Sequence, residues 1–327
     1  MPKRVFLTLP LLLCSLLGFG WGFFGHKIVH QLAIYGLPRQ MQPFYYRHQE
    51  TLVEDSVRPD QRRNQDPQEG PRHFIDLDVY GDGANDQLPE GWEEAVKTHS
   101  VDTLRKYGIV PWHVVRLKGR LTEAFRTRNV DSILFYSADL GHYVADAHVP
   151  LHTSVNYDGQ LTGQRGIHSL WETKLPESFI QNYRLYSGKA TYLPDPQGAI
   201  WQVVRSTFSL LEPTLLQEQE ASQAFSPAEK YVQVEVRGQT RQYYADAFAA
   251  EYQKRMGDMV EKQMQASAQM VASFWYTCWV DAGKPDLNQL LASPLTKQEK
   301  RALRKEKAAW RKNELVQKEM LLAKNKK

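Results

Sequence analysis

The chain has 327 residues, with 41 Lys and Arg against 37 Asp and Glu and a formal charge of +4 at pH 7. This length is compatible with one large domain or two. Its two cysteines are Cys14 and Cys278, so loss of a leader containing Cys14 would exclude an internal disulfide. An exported chain of this composition must be stabilised by its hydrophobic core or by metal.

Residues 1–20 have the pattern of a secretory signal peptide. A positively charged start precedes an apolar stretch over residues 5–19, and Gly20 is the small residue expected before a cleavage site. Cleavage there would make Trp21 the first residue of the mature chain. We therefore expect an exported protein, periplasmic or secreted. An uncleaved N-terminal anchor is the alternative, although the stretch is short for a membrane span.

Helical periodicity dominates the remainder of the chain and predicts an all-α fold. Long loops rich in Gly, Pro, Asp and Asn are expected at 58–91 and 153–166. We find no convincing series of alternating strands, so the predicted architecture is a multi-helix bundle with long functional loops. Helices are predicted at 26–36, 112–127, 131–148, 167–175, 199–220 and 239–280.

Charge divides the chain into an acidic body and a basic end. Residues 297–327 contain 12 Lys and Arg against 4 Asp and Glu, whereas residues 21–296 contain 27 against 33. We predict one domain over 21–295 and a basic helical tail over 296–327. The tail could make weak contact with an anionic surface, lipid or nucleic acid, or it could be only a solvated helix. The body lacks the broad basic stripe of sequence-reading nucleic-acid binders, and no obligate protein partner is evident.

The segments HYVADAHVPLH and IHSLWE carry a candidate metal site. His142 and Asp146 are four residues apart, so on a helix both side chains lie on one face. His168 and Glu172 have the same spacing, and His152 lies between the two pairs, after a proline. Imidazole and carboxylate groups at this spacing bind divalent cations, and zinc favours this mixture of nitrogen and oxygen ligands.

The loop before the second half of the chain adds further candidate ligands. Asp60 and His73 are the first choices. Asp66, Asp76 and Asp78 compete with Asp60, and spacing alone does not choose among them.

The start of the mature chain is a second possible source of ligands. A free α-amino group has a pKa near 8, so the amine and carbonyl of Trp21 could chelate a metal, with His26 nearby. Spacing alone favours a simpler interpretation, in which Trp21 packs as a hydrophobic lid and His26 caps a helix.

Taken together, Trp21 with His26, Asp60 with His73, HYVADAHVPLH and GIHSLWE resemble the trinuclear zinc phosphoesterases. This superfamily comprises bacterial zinc-dependent phospholipases C and single-strand-specific zinc nucleases, and the resemblance spans about residues 21 to 280. It implies an all-α fold around a cluster of three zinc ions. The implied ligands are Trp21, His26, Asp60, His73, His142, Asp146, His152, His168 and Glu172.

The resemblance also implies how these residues would act. Hydroxide formed by metal activation of water would attack the phosphorus of a phosphodiester, and Asp60 would orient or deprotonate the water. Asp139 is either an acceptor that fixes an imidazole tautomer or an exposed helix residue. His148 is a candidate for a contact with substrate or with a ligand residue.

The two branches of the superfamily differ in substrate, and the residues give mixed indications. Glu172 as the last ligand resembles the phospholipase branch, whereas His148 and Trp171 resemble the nuclease branch. Phe24 and Gln61 stand where the choline-binding residues of the phospholipases would be expected.

We therefore predict an exported zinc-dependent phosphodiesterase, phospholipase C-like in its substrate. A single-strand-specific endonuclease acting on DNA or RNA is the alternative. A non-catalytic zinc-binding protein is a third hypothesis.

Overall fold

The computed structural model describes residues 21–81, 88–236 and 238–324. The predicted leader, residues 1–20, lies outside the described residues, as does a part of the predicted 58–91 loop, residues 82–87.

Helices form nearly all of the regular structure in the described part of the chain, as predicted. The α-helical elements are α1 (Phe23–Gly36), α2 (Gln42–Arg47), α3 (Gln49–Asp55), α4 (Arg58–Arg62), α5 (Trp92–His99), α6 (Val101–Lys106), α7 (Val110–Arg126), α8 (Val130–Asp146), α9 (Ile167–Ser169, then a π-helical turn at Leu170–Lys174, then Leu175–Phe179), α10 (Pro196–Phe208), α11 (Leu211–Ser222), α12 (Pro227–Lys230), α13 (Asp246–Met256), α14 (Met259–Asp281) and α15 (Lys297–Arg311). Short 3₁₀ helices occur at Gly70–Arg72, Leu77–Tyr80, Pro150–Thr153, Ile180–Asn182, Leu287–Leu290 and Leu322–Lys324.

A β-hairpin interrupts the helical pattern where a long helix was predicted. Strands β1 (Tyr231–Val236) and β2 (Gln239–Tyr244) pair antiparallel, with Val236 opposite Gln239. Gly238 lies in the turn at a φ of 74°, a left-handed conformation that glycine adopts without steric cost. The prediction of a helix from residue 239 was therefore wrong for its first six residues.

Two of the longer predicted helices are each divided in two. The 199–220 helix is divided between α10 and α11, and the 239–280 helix is divided between α13 and α14. Gly257 has a φ of 58° and ends α13. Such short breaks let each half pack a different face, which a continuous periodic pattern conceals.

The core is built around α1, α8 and α14, which pack against one another, with α7 against α8 and α14. Trp275 of α14 is fully buried and donates its indole N–H to the carbonyl of Ser137 at 2.9 Å. The Tyr45 hydroxyl lies 2.9 Å from the Ser137 hydroxyl, and its ring stacks on Trp275. These contacts fix the position of α8, which carries two predicted ligands.

Helix α15, in the predicted tail, packs on the body instead of being solvated on all sides. Thr296 and Glu299 form a capping box at its start. Glu306 accepts hydrogen bonds from the hydroxyls of Tyr35 at 2.9 Å and Tyr46 at 2.7 Å. Trp310 is buried. The basic side chains of this helix therefore extend from a docked element.

None of the helices formed by the described residues combines the length and the apolar character needed to cross a bilayer.

We expect Gly141→Ala to destabilise the protein, because a Cβ at this position of α8 would lie 2.4 Å from Nε2 of His30 on α1. His30 is buried and held on both ring nitrogens, so it cannot move aside without losing a hydrogen bond. Overpacking of this kind costs about 1–3 kcal/mol, measurable by urea denaturation.

Gly119→Ala in α7 is the matched control for this substitution. A Cβ there meets nothing within 4 Å, so it should raise the free energy of unfolding by about 0.5–1 kcal/mol. Equal stability changes in both variants would contradict the close approach of α1 and α8.

Candidate metal centre

Side chains from well-separated segments converge at one end of the α1–α8 pair. His26 comes from α1 and Asp60 from the short helix α4, while His73 follows a 3₁₀ turn. Beyond them, α8, the 3₁₀ turn after it and α9 supply the histidine and carboxylate pairs of the two motifs. Three groups of side chains place their ligand atoms within 4.8 Å of one another: His26, His142 and Asp146; Asp60, His73 and His142; and His152, His168 and Glu172.

Asp146 is the carboxylate on which the first two groups converge. Its Oδ1 lies 3.3 Å from Nε2 of His26. Its Oδ2 lies 2.9 Å from Nδ1 of His73 and 3.2 Å from Nε2 of His142. The His26 and His142 rings stack with centroids 3.9 Å apart. One fully buried carboxylate thus meets three imidazoles from three segments.

The structure distinguishes Asp60 from the aspartates that competed with it. Asp60 Oδ1 lies 3.7 Å from Nδ1 of His73 and 3.8 Å from Nε2 of His142. Asp66 instead pairs with Arg72 at 3.3 Å. Asp78 accepts hydrogen bonds from Ser154 and Val155, and Asp76 packs near it. Among the competing aspartates, Asp60 is the one that joins the metal-capable groups.

The third group is assembled by α9 and the 3₁₀ turn that follows α8. Nε2 of His168 lies 3.0 Å from both Oε2 of Glu172 and Nε2 of His152. His152 lies 3.7 Å from the same carboxylate oxygen. The π-helical turn at Leu170–Lys174 carries Glu172, and single π turns are frequent at functional sites.

Backbone carbonyls orient two of the imidazoles toward the centre. Nδ1–H of His142 donates to the carbonyl of Ser56 at 2.8 Å, and Nδ1–H of His152 donates to the carbonyl of His73 at 2.6 Å. In this tautomer the Nε2 lone pair of each ring faces the other ligand atoms. Such outer hydrogen bonds are how proteins hold histidine ligands in the coordinating orientation.

Several buried polar atoms at this centre have no hydrogen-bond partner among the described residues. They include both ring nitrogens of His26, both carboxylate oxygens of Asp60, Oδ1 of Asp146 and Oε2 of Glu172. Buried groups left in this way carry an unpaid desolvation cost, which a coordinated cation would remove. Imidazole nitrogens mixed with carboxylate oxygens are the donor set of zinc, so the residues present fit that metal.

Burial and neighbouring charges shift the proton affinities at the centre. Burial and the charge of His142 lower the pKa of His26 to about 4, so this ring is neutral near pH 7. Burial raises the pKa of Glu172 to about 8. Burial also raises the pKa of Asp146, but His142 and His152 outweigh it and hold that pKa well below its usual range. Neutral imidazole is the form that binds metal.

Trp21 is tied to both ligand-bearing segments. Its indole N–H donates to the carbonyl of Ala145 at 2.8 Å, and the N–H of Gly22 donates to the carbonyl of Glu172 at 3.2 Å. The fully buried Trp21 ring packs on Trp171, with centroids 5.0 Å apart. The packing role expected from spacing is therefore present, and it places the start of this segment beside Asp146 and Glu172.

Asp139 departs from both interpretations of its role. It is buried, and its carboxylate accepts hydrogen bonds from Arg58 at 2.7 Å and Arg62 at 2.9 Å, not from an imidazole. It anchors α4, the helix of Asp60, to α8. His148 is also buried, with Nδ1 2.7 Å from the carbonyl of Val144, and it lies outside the three metal-capable groups.

Glu69 is a buried residue of the site that the sequence analysis did not identify. Its Oε1 lies 3.5 Å from Nε2 of His73, on the side of the ring opposite Asp146. Arg62 donates to its other oxygen at 3.0 Å, and Tyr143 donates its hydroxyl. Burial raises the pKa of Glu69, but hydrogen bonds from His73 and Arg62 outweigh it and hold the pKa below its usual range. The available signal was its position four residues before His73.

We expect Glu69→Gln to weaken zinc binding by about 10–100-fold, because a neutral amide orients the Nε2–H of His73 less strongly than a carboxylate. Zinc affinity is measured by competition with a chromophoric chelator. Glu54→Gln is the control, since Glu54 pairs with Lys27 at the exposed surface. Unchanged zinc affinity in Glu69→Gln would show that Glu69 only fills space.

Comparison with known families accounts for this arrangement. The sequence pattern of the S1/P1 nuclease family matches residues 21–274, which include the full set of converging residues. Comparison with curated proteins gives no match. Because the match extends over most of the chain, the protein belongs to the S1/P1 nuclease family, within the zinc phospholipase C and nuclease superfamily, and is a zinc-dependent phosphodiester hydrolase.

Proposed function

We propose that this protein is a nuclease that cleaves phosphodiester bonds of single-stranded DNA or RNA. The observation that carries the proposal is the family match over residues 21–274 together with the three converging groups. The family favours the nuclease alternative over the phospholipase C-like activity that we first preferred. Because the family is one of hydrolases, it also argues against the non-catalytic hypothesis.

We assign three zinc ions to the centre. Asp60, His73, His142 and Asp146 would hold the first. His152, His168 and Glu172 would hold the second. The third would use His26, Asp146 and the amine and carbonyl of Trp21. The hydrogen bonds that join Trp21 and Gly22 to the Ala145 and Glu172 carbonyls support this last assignment.

Zinc, when bound, lowers the pKa of water and neutralises charge on phosphate oxygens. The protein supplies orientation and proton transfer. Asp60 is the proposed acceptor of the proton of the attacking water, because its buried oxygens have no hydrogen-bond partner and lie beside His73 and His142. Asp139 keeps Asp60 in place by holding Arg58 and Arg62 of the same short helix.

An exposed aromatic side chain beside the third group favours a nucleobase over a lipid headgroup. Tyr157 is 53 % exposed, and its ring lies edge-on to that of His168, with centroids 6.0 Å apart. Aromatic side chains at single-strand sites stack on bases, a contact worth about 1–3 kcal/mol per base. We propose that Tyr157 provides this stacking surface.

The proposed location is outside the cytoplasm, periplasmic or secreted. This rests on the leader pattern of residues 1–20, whose removal would free the amine of Trp21.

Blocking the amine of Trp21 should remove one metal. A mature chain carrying Gly-Ser before Trp21 cannot place a free amine at that position. We expect elemental analysis to find two zinc ions per molecule in place of three, with a large loss of hydrolysis. Appending the same dipeptide after Lys327 is the control. Three ions and full activity in the N-terminally extended protein would exclude the amine as a ligand.

The substrate assignment is tested by a panel offered to zinc-loaded mature protein. Single-stranded DNA, RNA and phosphatidylcholine vesicles are compared by release of nucleotides and of diacylglycerol. We expect nucleotide release that a chelator abolishes and added zinc restores. Diacylglycerol release without nucleotide release would reject the nuclease in favour of the phospholipase.

A further inference from the structure

A cleft remote from the metal centre is lined by four cationic side chains. It has a volume of about 280 Å³ and lies where the end of α1 meets α14 and α15. Its cationic residues are Arg39, Lys189, Lys307 and Arg311, and no Asp or Glu is among the described residues that line it. This volume is near the lower end of the range of small-ligand sites.

These four cations are not neutralised by the protein. None of them forms an ion pair with a residue in the described part of the chain. Burial and the charges of Arg311, Arg39 and Lys189 lower the pKa of Lys307 to about 8. Like charges gathered in this way repel one another, and a bound anion would relieve the repulsion.

An unpartnered hydrogen-bond donor lies in the wall of the same cleft. Trp310 is 1 % exposed, and its indole N–H has no acceptor among the described residues. Indole is a donor only, so its partner must be an acceptor such as an anionic oxygen. Tyr186 packs on Trp310 with centroids 4.7 Å apart and is 40 % exposed.

We propose that this cleft binds phosphate groups of a single-stranded nucleic acid, as an anchoring site separate from the metal centre. Cationic grooves with aromatic side chains are the usual surfaces for single strands. The choice of a nucleic-acid strand rests on the proposed function; the anionic ligand follows from the cleft itself.

The outward face of α15 favours a strand over a membrane. Lys300, Arg301 and Arg304 are exposed on it, whereas Leu303 and Trp310 are buried against the body. A helix whose apolar face is already buried has nothing to insert into a bilayer. Its exposed face offers only charge, which suits a polyanion.

The cleft and the metal centre are well separated along α1. His26 and Tyr35, which lines the cleft, are nine residues apart, about 14 Å along a helix. A small phosphodiester at the metal centre therefore cannot contact the cleft, and the two sites can be tested independently.

The test compares two double variants of zinc-loaded protein. Lys307→Gln with Arg311→Gln removes two charges from the cleft, and Lys300→Gln with Arg304→Gln removes two from the outward face of the same helix. Binding of a hydrolysis-resistant phosphorothioate strand is measured by fluorescence anisotropy over a range of salt concentrations. We expect the cleft variant to bind about tenfold more weakly, with the slope of log K against log salt reduced by about 1.

The control variant should lose less than about threefold in affinity, which marks the cleft as a built site and not as bulk charge. Both should hydrolyse bis-p-nitrophenyl phosphate at the unaltered rate. Lys307→Arg with Arg311→Lys keeps the charge and should keep binding, which separates loss of charge from misfolding. Equal losses in the cleft and control variants, or none in either, would overturn the proposal.

Two further measurements separate other anions from a strand. Inorganic phosphate that binds the cleft while the strand binds both double variants equally would make this a small-anion site and overturn the proposal. Loss of binding to phosphatidylserine vesicles with unchanged strand binding would overturn it in favour of a membrane. Strand binding that depends on the cleft, without any nucleic-acid hydrolysis, would support the cleft and reject the proposed function instead.

Discussion

A buried carboxylate at the wrong end of a helix organises this protein. Asp146 is the last residue of α8, where the helix dipole disfavours negative charge, and it is fully buried. A buried charge without compensation costs several kcal/mol. Its compensation comes from His26, His73 and His142, which belong to three different segments. Satisfying this one group therefore requires α1, α8 and the loop after α4 to meet at a single point.

The packing of α1 on α8 determines whether that meeting is possible. His30 lies between them with its ring nitrogens near the carbonyls of His26 and Ala138, and Gly141 leaves room for it. Trp21 then closes the end of α1 against Ala145. Core and site are thus one construction, in which a misplacement of α1 would displace His26. The outer residues Glu69 and Asp139 extend the same logic, since each orients a segment that carries a candidate ligand.

Much of the fold was predictable because helical periodicity is local. The boundaries of α7 and α8 differ from the predicted 112–127 and 131–148 by only one or two residues. The hairpin of β1 and β2 was missed because its apolar residues are few and its strands lie largely exposed, so no strong alternating signal marks it. The tail was predicted as a helix, but the contacts of Glu306 and Trp310 with the body depend on distant residues.

The amino-acid order was sufficient for the pairs His142 with Asp146 and His168 with Glu172, because a helix places residues four apart on one face. Folding was needed to separate Asp60 from its competitors, to reveal Glu69 behind His73, and to gather Arg39, Lys189, Lys307 and Arg311 around one cleft. The difference is one of range. Dihedral geometry sets distances within a helix, whereas distances between segments follow from how the whole core packs.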